Sequence, residues 1–382
     1  MNILLTQKSV EGFGNDNART ACPILYRPTD EKYSEAIRKF QGCPTIAVTP
    51  KGRVFLGWYS GGIREPHIEN YNILTYSDDG VNFKSPLLVI PSEESRGVHA
   101  LDIQLWIAPN GALWVCWVQN NAMPGDDAAF EMLRGEAGQP SAFMDGWIFP
   151  DMRHTAWCVV CDDPDADEPI FSEPRNYDIG FLRCKPLVLS NGRWIFFNYD
   201  QLTDRYGYSI SDDEGKTFTR KYGAKKFTTH FDECMAYQRR DGSLRMLARA
   251  NKIGEIPQSV SFDNGDSWEE ATLSGIPNPG TRFFISRTPS GRVLLVNNHH
   301  STERTNMTVY LSEDDGETWS YTKCIDSRPS LSYPDVDFHD GKIYLTYDRE
   351  RTGAKEILMS VFTEEDIIDP DKEIEISIIS KP

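Results

Sequence analysis

The loop Ile63-Arg64-Glu65-Pro66-His67-Ile68-Glu69-Asn70 gathers a guanidinium, two carboxylates and an imidazole into six residues. Glu65, His67 and Glu69 can each give or take a proton near neutral pH once burial and neighbouring charges have tuned them. A solvated connection between strands would carry the same residues, so a scaffold must place them before the chemistry counts. Cys158 and Cys161 form a C-x-x-C pair, but no second pair or histidine stands at zinc spacing. The pair reads as structural, and no metal or cofactor is called for. Most of the eight cysteines sit in apolar runs, as buried free thiols do. Forty basic against 57 acidic residues give a formal net charge of −17. A nucleic-acid backbone or an anionic membrane demands a basic face, so neither is an expected partner. Basic residues gathered at one place would stand out against this background and steer an anionic ligand.

What must position such residues is visible in a repeat. A turn-favouring residue plus Gly, then an apolar run, recurs at Lys51-Gly52, Asn110-Gly111, Asn191-Gly192, Asp241-Gly242, Ser290-Gly291 and Asp340-Gly341, the glycines lying 59, 81, 50, 49 and 50 apart. A period near 50 with several short strands per unit indicates a β-propeller, whose blades cannot bury their faces alone. In phase with it, Ser211–Phe218, Ser261–Trp268 and Ser312–Trp319 share the form S-x-D-x-G-x-[ST]-aromatic, and Tyr76–Phe83 is a weaker copy. In these Asp-box hairpins the Asp accepts from turn amides, Gly supplies positive φ, and the aromatic folds back over the turn. The expected fold is therefore all-β, a six-bladed β-propeller with Asp-box hairpins. Residues 1–43 form an N-terminal segment contributing to ring closure, and 44–382 form the propeller, with an insertion over about 120–153. A loop of that length in a compact repeat usually shapes a binding site. The stretches ILYRP and EIEISIIS are left over as strands, and one is expected to pair into the neighbouring blade. DEKYSEAIRKF is the one stretch with a helical period. The N-terminus shows no basic segment followed by an apolar stretch, and no run reaches membrane-spanning length. The expectation is a cytoplasmic protein, or a mature form whose leader was trimmed.

Ligands of a propeller sit on its axis, so functional residues should recur at a similar phase of the repeat. Four do. The stretch Asp232–Arg249, the stretch Glu303–Val309 running into the Ser312 hairpin, and Ser332-Tyr333-Pro334-Asp335 resemble segments of the sialidases (exo-neuraminidases), six-bladed propellers with the same hairpins. The resemblance spans roughly Pro44 to Ile368 as architecture, and its specific motifs lie mainly after Asp232. It implies Glu233 as an activating glutamate and Tyr333 as a nucleophile, with Tyr347 nearby as a second tyrosine. It also implies Arg249, 16 residues after Glu233, and Arg304 as the second and third members of an arginine triad. Sialic acids carry a carboxylate on the anomeric carbon, which would repel a carboxylate nucleophile but not a phenol. Guanidiniums bind that carboxylate bidentately.

The chain departs from the sialidase pattern twice. The Tyr/Phe-Arg-Ile-Pro stretch that supplies the first triad arginine is matched by Gly42-Cys43-Pro44, leaving Arg38 or Arg64 to substitute from a loop. The acid/base Asp is absent from Ile63–Asn70, leaving Glu65, His67 or Glu69 as proton donor. Asp102 and Gln104 occupy an inner-strand phase suited to reading sugar hydroxyls, and Asp335, Arg282 and Arg287 are further binding candidates. His99, His299 and His300 read as hydrogen-bonding residues. Trp106, Trp117 and Trp147 read either as a platform for a sugar ring or as packing. The reading is a sialidase-like exo-glycoside hydrolase acting on a terminal, acidic sugar of a glycan, without metal or cofactor. Two alternatives stay open: a propeller glycosidase or polysaccharide lyase using His67 on a uronic acid or deoxysugar, and a non-catalytic carbohydrate-binding propeller.

Overall fold

Six antiparallel sheets radiate from one axis, and each begins at the axis with its first strand. The computed structural model describes residues 17–382 except 127, 129–140, 145, 151–153, 201–202 and 229–230. Much of the expected insertion therefore lies outside the described residues. The inner strands of blades one to six are Phe40–Val48, Val98–Ile107, Leu187–Val188, Cys234–Gln238, Phe284–Arg287 and Leu331–His339. Each is followed by three more strands in simple meander order. Apolar side chains on facing sheets interdigitate between blades. Phe55 and Leu74 of blade one, for example, share a cluster with Leu105, Val115 and Trp117 of blade two. Trp106 packs with Trp114, Trp194 and Phe196, and Trp117 with Trp157, so both are packing residues rather than a sugar platform.

The hairpins behave as their sequence dictates. Asp213 accepts from the Thr217 amide at 2.9 Å and its hydroxyl at 2.6 Å, while Ser211 Oγ accepts from the Gly215 amide at 2.8 Å. Gly215, Gly265 and Gly316 stand at φ of 77°, 83° and 82°, a region that penalises any side chain. The bonds repeat at Asp263 and Asp314.

Two expectations need correction. Neither leftover strand crosses into a neighbouring blade. Leu25–Tyr26 adds a fifth, outer strand to blade one, and Ser377–Ser380 is the outer strand of blade six. Blade one also starts at Phe40, and DEKYSEAIRKF forms two short 3-10 turns, Glu31–Tyr33 and Glu35–Ile37. Since each blade is built from one contiguous stretch, side chains and loops rather than a shared strand join blade six to blade one. At the outer seam Glu35 Oε1 accepts from Ser380 Oγ at 2.7 Å and the Lys381 amide at 2.6 Å, and Arg38 donates to Ser380 Oγ at 3.2 Å.

On the axis the ring is tied by Asp335. Its carboxylate accepts from Thr45 Oγ1 at 2.7 Å, the Ile46 amide at 3.0 Å, Arg282 Nη2 at 2.9 Å and Gln104 Nε2 at 3.3 Å, and Lys185 Nζ lies at 3.4 Å. These partners come from blades one, five, two and three. Burial pushes the Asp335 carboxyl up, but Lys185, Arg282 and the two blade-one donors outweigh it, and its pKa falls below the ordinary value. Removing one member of a fully buried ion pair strands the others and costs about 3–5 kcal/mol. Asp335→Ala is expected to lose stability of that order by urea denaturation, and a loss under about 1 kcal/mol would contradict the hub.

Candidate active site

The side chains that face the axial cup are aimed by three matching irregularities. In the inner strands of blades one, two and six the register slips by one residue, between Gly42 and Thr45, Leu101 and Gln104, and Ser332 and Asp335. Each slip is a β-bulge holding one non-glycine residue at positive φ: Cys43 at 55°, Asp102 at 60° and Tyr333 at 54°. Local sequence explains two of them, because Pro44 and Pro334 have no N–H to give the ladder. In the third, the Ile103 amide donates instead to Asn72 Oδ1 at 3.1 Å. The left-handed conformation costs roughly 1–2 kcal/mol at each position.

Tyr333 is thereby brought against blade four. Its hydroxyl donates to Glu233 Oε1 at 2.7 Å, and Arg249 Nη1 reaches the Tyr333 oxygen at 3.0 Å and both Glu233 oxygens at 3.1 and 3.0 Å. All three are buried. Burial, reinforced by Glu233, pushes the phenol above its ordinary pKa, so it stays protonated and points its proton at Glu233. Burial opposes the Arg249 charge, but Glu233 outweighs it and holds the guanidinium protonated. Behind Glu233, Asp232 forms a fully buried ion pair with Lys226 at 2.8 Å.

Three further arginines line the cup. Arg351 Cζ lies 4.4 Å from the Tyr333 ring centre and Arg183 Cζ 5.1 Å. Arg351 donates to Asp348 Oδ2 at 3.0 Å, Glu65 Oε2 at 2.9 Å and Ser332 Oγ at 3.2 Å. Arg183 Nε faces Asp102 Oδ1 at 3.5 Å. Arg304 differs, because no ion pair or hydrogen bond engages its guanidinium among the described residues. Burial, then Arg351 and Arg249, lower its proton affinity, which places three cations in mutual range. A pocket of about 940 Å³ adjoins Arg304 and Arg351, lined by them, by Ser332 and Ser330 and by the carboxylates Glu303 and Glu350, and it takes no lining from Tyr333, Glu233 or Arg249.

On the opposite side, ligand atoms of Glu65, Asp102 and Cys43 lie within 4.8 Å of one another. Burial, opposed by Arg183 and reinforced by Glu65 and Glu233, raises the Asp102 carboxyl from 3.8 to about 6. Asp102 therefore holds its proton to higher pH than an ordinary carboxyl does.

The other expected residues fall elsewhere. Asp335, Gln104 and Arg282 are fully buried in the floor beneath the cup, with Gln104 Nε2 and Arg282 Nη2 both donating to Asp335, and leave no surface for a substrate. Arg38 is bound to Ser380 and the Tyr33 carbonyl at the outer seam, and Arg64 is exposed on its loop. Of the three proton donors, Glu65 faces the cup. His67 is buried over Gly62 with its Nδ1 accepting from the Glu69 amide at 3.2 Å, while the Glu69 side chain is 68% exposed. His99 bonds Tyr59 at 2.7 Å, and burial with nearby His67 lowers it to about 3. Arg287 is held at the rim by Asp315 and the Gln238 carbonyl. Tyr347 bonds Asp326 at 3.1 Å, away from Glu233. Trp147 packs on Ile68, Ala122 and Phe149, and His299 and His300 make local bonds.

Sequence reasoning missed Arg183, Arg351 and Asp348. The usable signal was positional. The cup is lined by residues at the start of first strands and just past the end of second strands, and Arg351 follows Lys342–Arg349 as Arg249 follows Leu244–Ala248.

Asp102 gives a stability test. Because its folded-state pKa is raised, the stability its protonated form contributes is complete below about pH 4 and is lost as pH rises through about 6. Asp102→Asn cannot ionise, so its stability relative to the parent should rise across that window by up to about 3 kcal/mol. Denaturation at pH 4 and pH 7 measures the difference, and a flat difference would contradict the raised carboxyl.

Residues 166–345 match the BNR repeat-like domain family. Curated proteins give no sequence match. Among solved structures, a Dyadobacter fermentans protein of unknown function aligns with TM-score 0.61 and 16% identity over 95% of this chain and 99% of its own. The Hadza microbial sialidase Hz136 aligns with TM-score 0.66 and 17% identity over 86% of this chain and 66% of its own. The intramolecular trans-sialidase of Ruminococcus gnavus, solved with oseltamivir carboxylate, aligns with TM-score 0.63 and 16% identity over 91% and 98%. These identities speak for the fold alone, and the family match covers the last four of the six repeated turns. The chain is a six-bladed β-propeller with BNR-like repeats over residues 166–345, and it shares its fold with these sialidase structures.

Proposed function

We propose that the cup is the active site of an exo-glycoside hydrolase of sialidase type that removes a terminal acidic sugar from a glycan. The observation that carries this is the Tyr333–Glu233 hydrogen bond of 2.7 Å under Arg249. A buried phenol is a poor nucleophile until a base takes its proton, and Glu233 stands where that base must be. In the first step Tyr333 Oη attacks the anomeric carbon as Glu233 takes the phenolic proton. The glycosidic C–O bond breaks, and the leaving oxygen receives a proton from the Glu65–Asp102 pair. Water then attacks the glycosyl–tyrosine bond and gives its proton to that pair, while Tyr333 leaves and recovers its proton from Glu233. Arg304, which makes no ion pair among the described residues, and Arg249 receive the sugar's carboxylate and hold it beside the nucleophile.

The reading is tested with an aryl sialoside such as the 4-methylumbelliferyl derivative. The parent is expected to hydrolyse it, and Tyr333→Phe or Glu233→Gln to lower kcat by roughly three orders of magnitude or more. Glu65→Gln should slow poor leaving groups by roughly 10²–10⁴ and activated aryl groups far less, because only the former need a proton donor. Turnover needs the protonated pair, so kcat/KM should fall as pH rises past about 6. Full activity in Tyr333→Phe with loss in His67→Ala would favour a lyase or a different glycosidase. Sugar binding without any product would favour a lectin-like propeller.

A further inference from the structure

We propose that Arg351 of blade six completes the anion clamp with Arg304 and Arg249, and that Gly42 is what admits it. The inference rests on the reading of the cup as a site for an acidic sugar. Three observations carry it. A Cβ added at Gly42 would lie 2.7 Å from Arg351 Cγ and Cδ and 2.8 Å from its Nε, so the arginine stem fills the volume that any side chain at position 42 would need. Arg351 and Arg304 line one open pocket, and the Arg351 guanidinium packs on the Tyr333 ring. Of the five N–H donors of a guanidinium, Arg351 commits one each to Asp348, Glu65 and Ser332, and the rest remain for a ligand. Of the two arginines raised by the sequence for this role, Arg38 is spent at the seam, and Arg64 is exposed on its loop.

Arg351 also holds Glu65, a residue of the proton-donor pair. An anion seated on Arg351 competes with Glu65 for the same cation. The incoming carboxylate therefore loosens Glu65 from its counter-charge. A neutral sugar would leave Glu65 paired to Arg351.

Calorimetry with 2-deoxy-2,3-dehydro-N-acetylneuraminic acid and its methyl ester tests the clamp. Arg351→Gln should weaken binding of the acid at least tenfold and leave the ester within about threefold. Gly42→Ala, which removes no charge, should weaken the acid similarly by displacing the arginine stem. Glu65→Gln should bind the acid several-fold tighter than the parent, and that gain should vanish in the Arg351→Gln background. Circular dichroism melts confirm that each variant is folded. If the parent binds the acid and both Arg351→Gln and Gly42→Ala bind it within twofold of the parent, the clamp is overturned while the proposed function stands. If the parent neither binds the acid nor turns over an aryl sialoside, both fall together.

Discussion

A single buried carboxylate on the axis fixes how the blades stand to one another. Asp335 of blade six receives donors from blades one, two, three and five. Hydrophobic faces between blades supply most of the attraction, but that attraction is non-directional and tolerates sliding. A carboxylate with charged and hydroxyl partners in a dry interior is directional, and leaving any partner unmatched is costly. The floor of the cup therefore sets the rotation of the inner strands it ties, and the residues one or two positions away inherit it. Tyr333 stands two residues before Asp335, and Asp102 two residues before Gln104.

Above that floor the charges alternate: Arg249 with Glu233, Arg183 with Asp102, Arg351 with Glu65 and Asp348. Such pairing lets ionisable groups stay charged in a poorly hydrated recess, where an isolated ion would neutralise instead. It also means that the pairs are already oriented before a ligand arrives, so little reorganisation is left for the binding event. Among the described residues no ion pair or hydrogen bond engages the Arg304 guanidinium, which stands within electrostatic range of Arg351 and Arg249.

The blades were readable because their signals are local. A glycine at positive φ and an aspartate that caps its own turn are requirements of eight consecutive residues, and the chain states them repeatedly. Glu233, Arg249 and Tyr333 were reachable through their order along the repeat. Asp335, Arg282 and Gln104 looked the same by that criterion and are floor residues, because the sequence phase says which end of a strand a residue occupies but not its depth. Arg351 was hidden for the opposite reason: its place depends on a side chain that is missing at Gly42, some 300 residues earlier, and an absence carries no motif. Pro334, beside Tyr333, accompanies the bulge that turns the phenol inward.

The bulges have a wider consequence. A residue held outside the ladder owes nothing to strand pairing, so its chemistry can change without disturbing the sheet that carries it. Positions 43, 102 and 333 form three such sockets on adjoining blades. The rim of this ring is in that sense modular: a cysteine, an aspartate and a tyrosine today, and room for other reagents on the same frame.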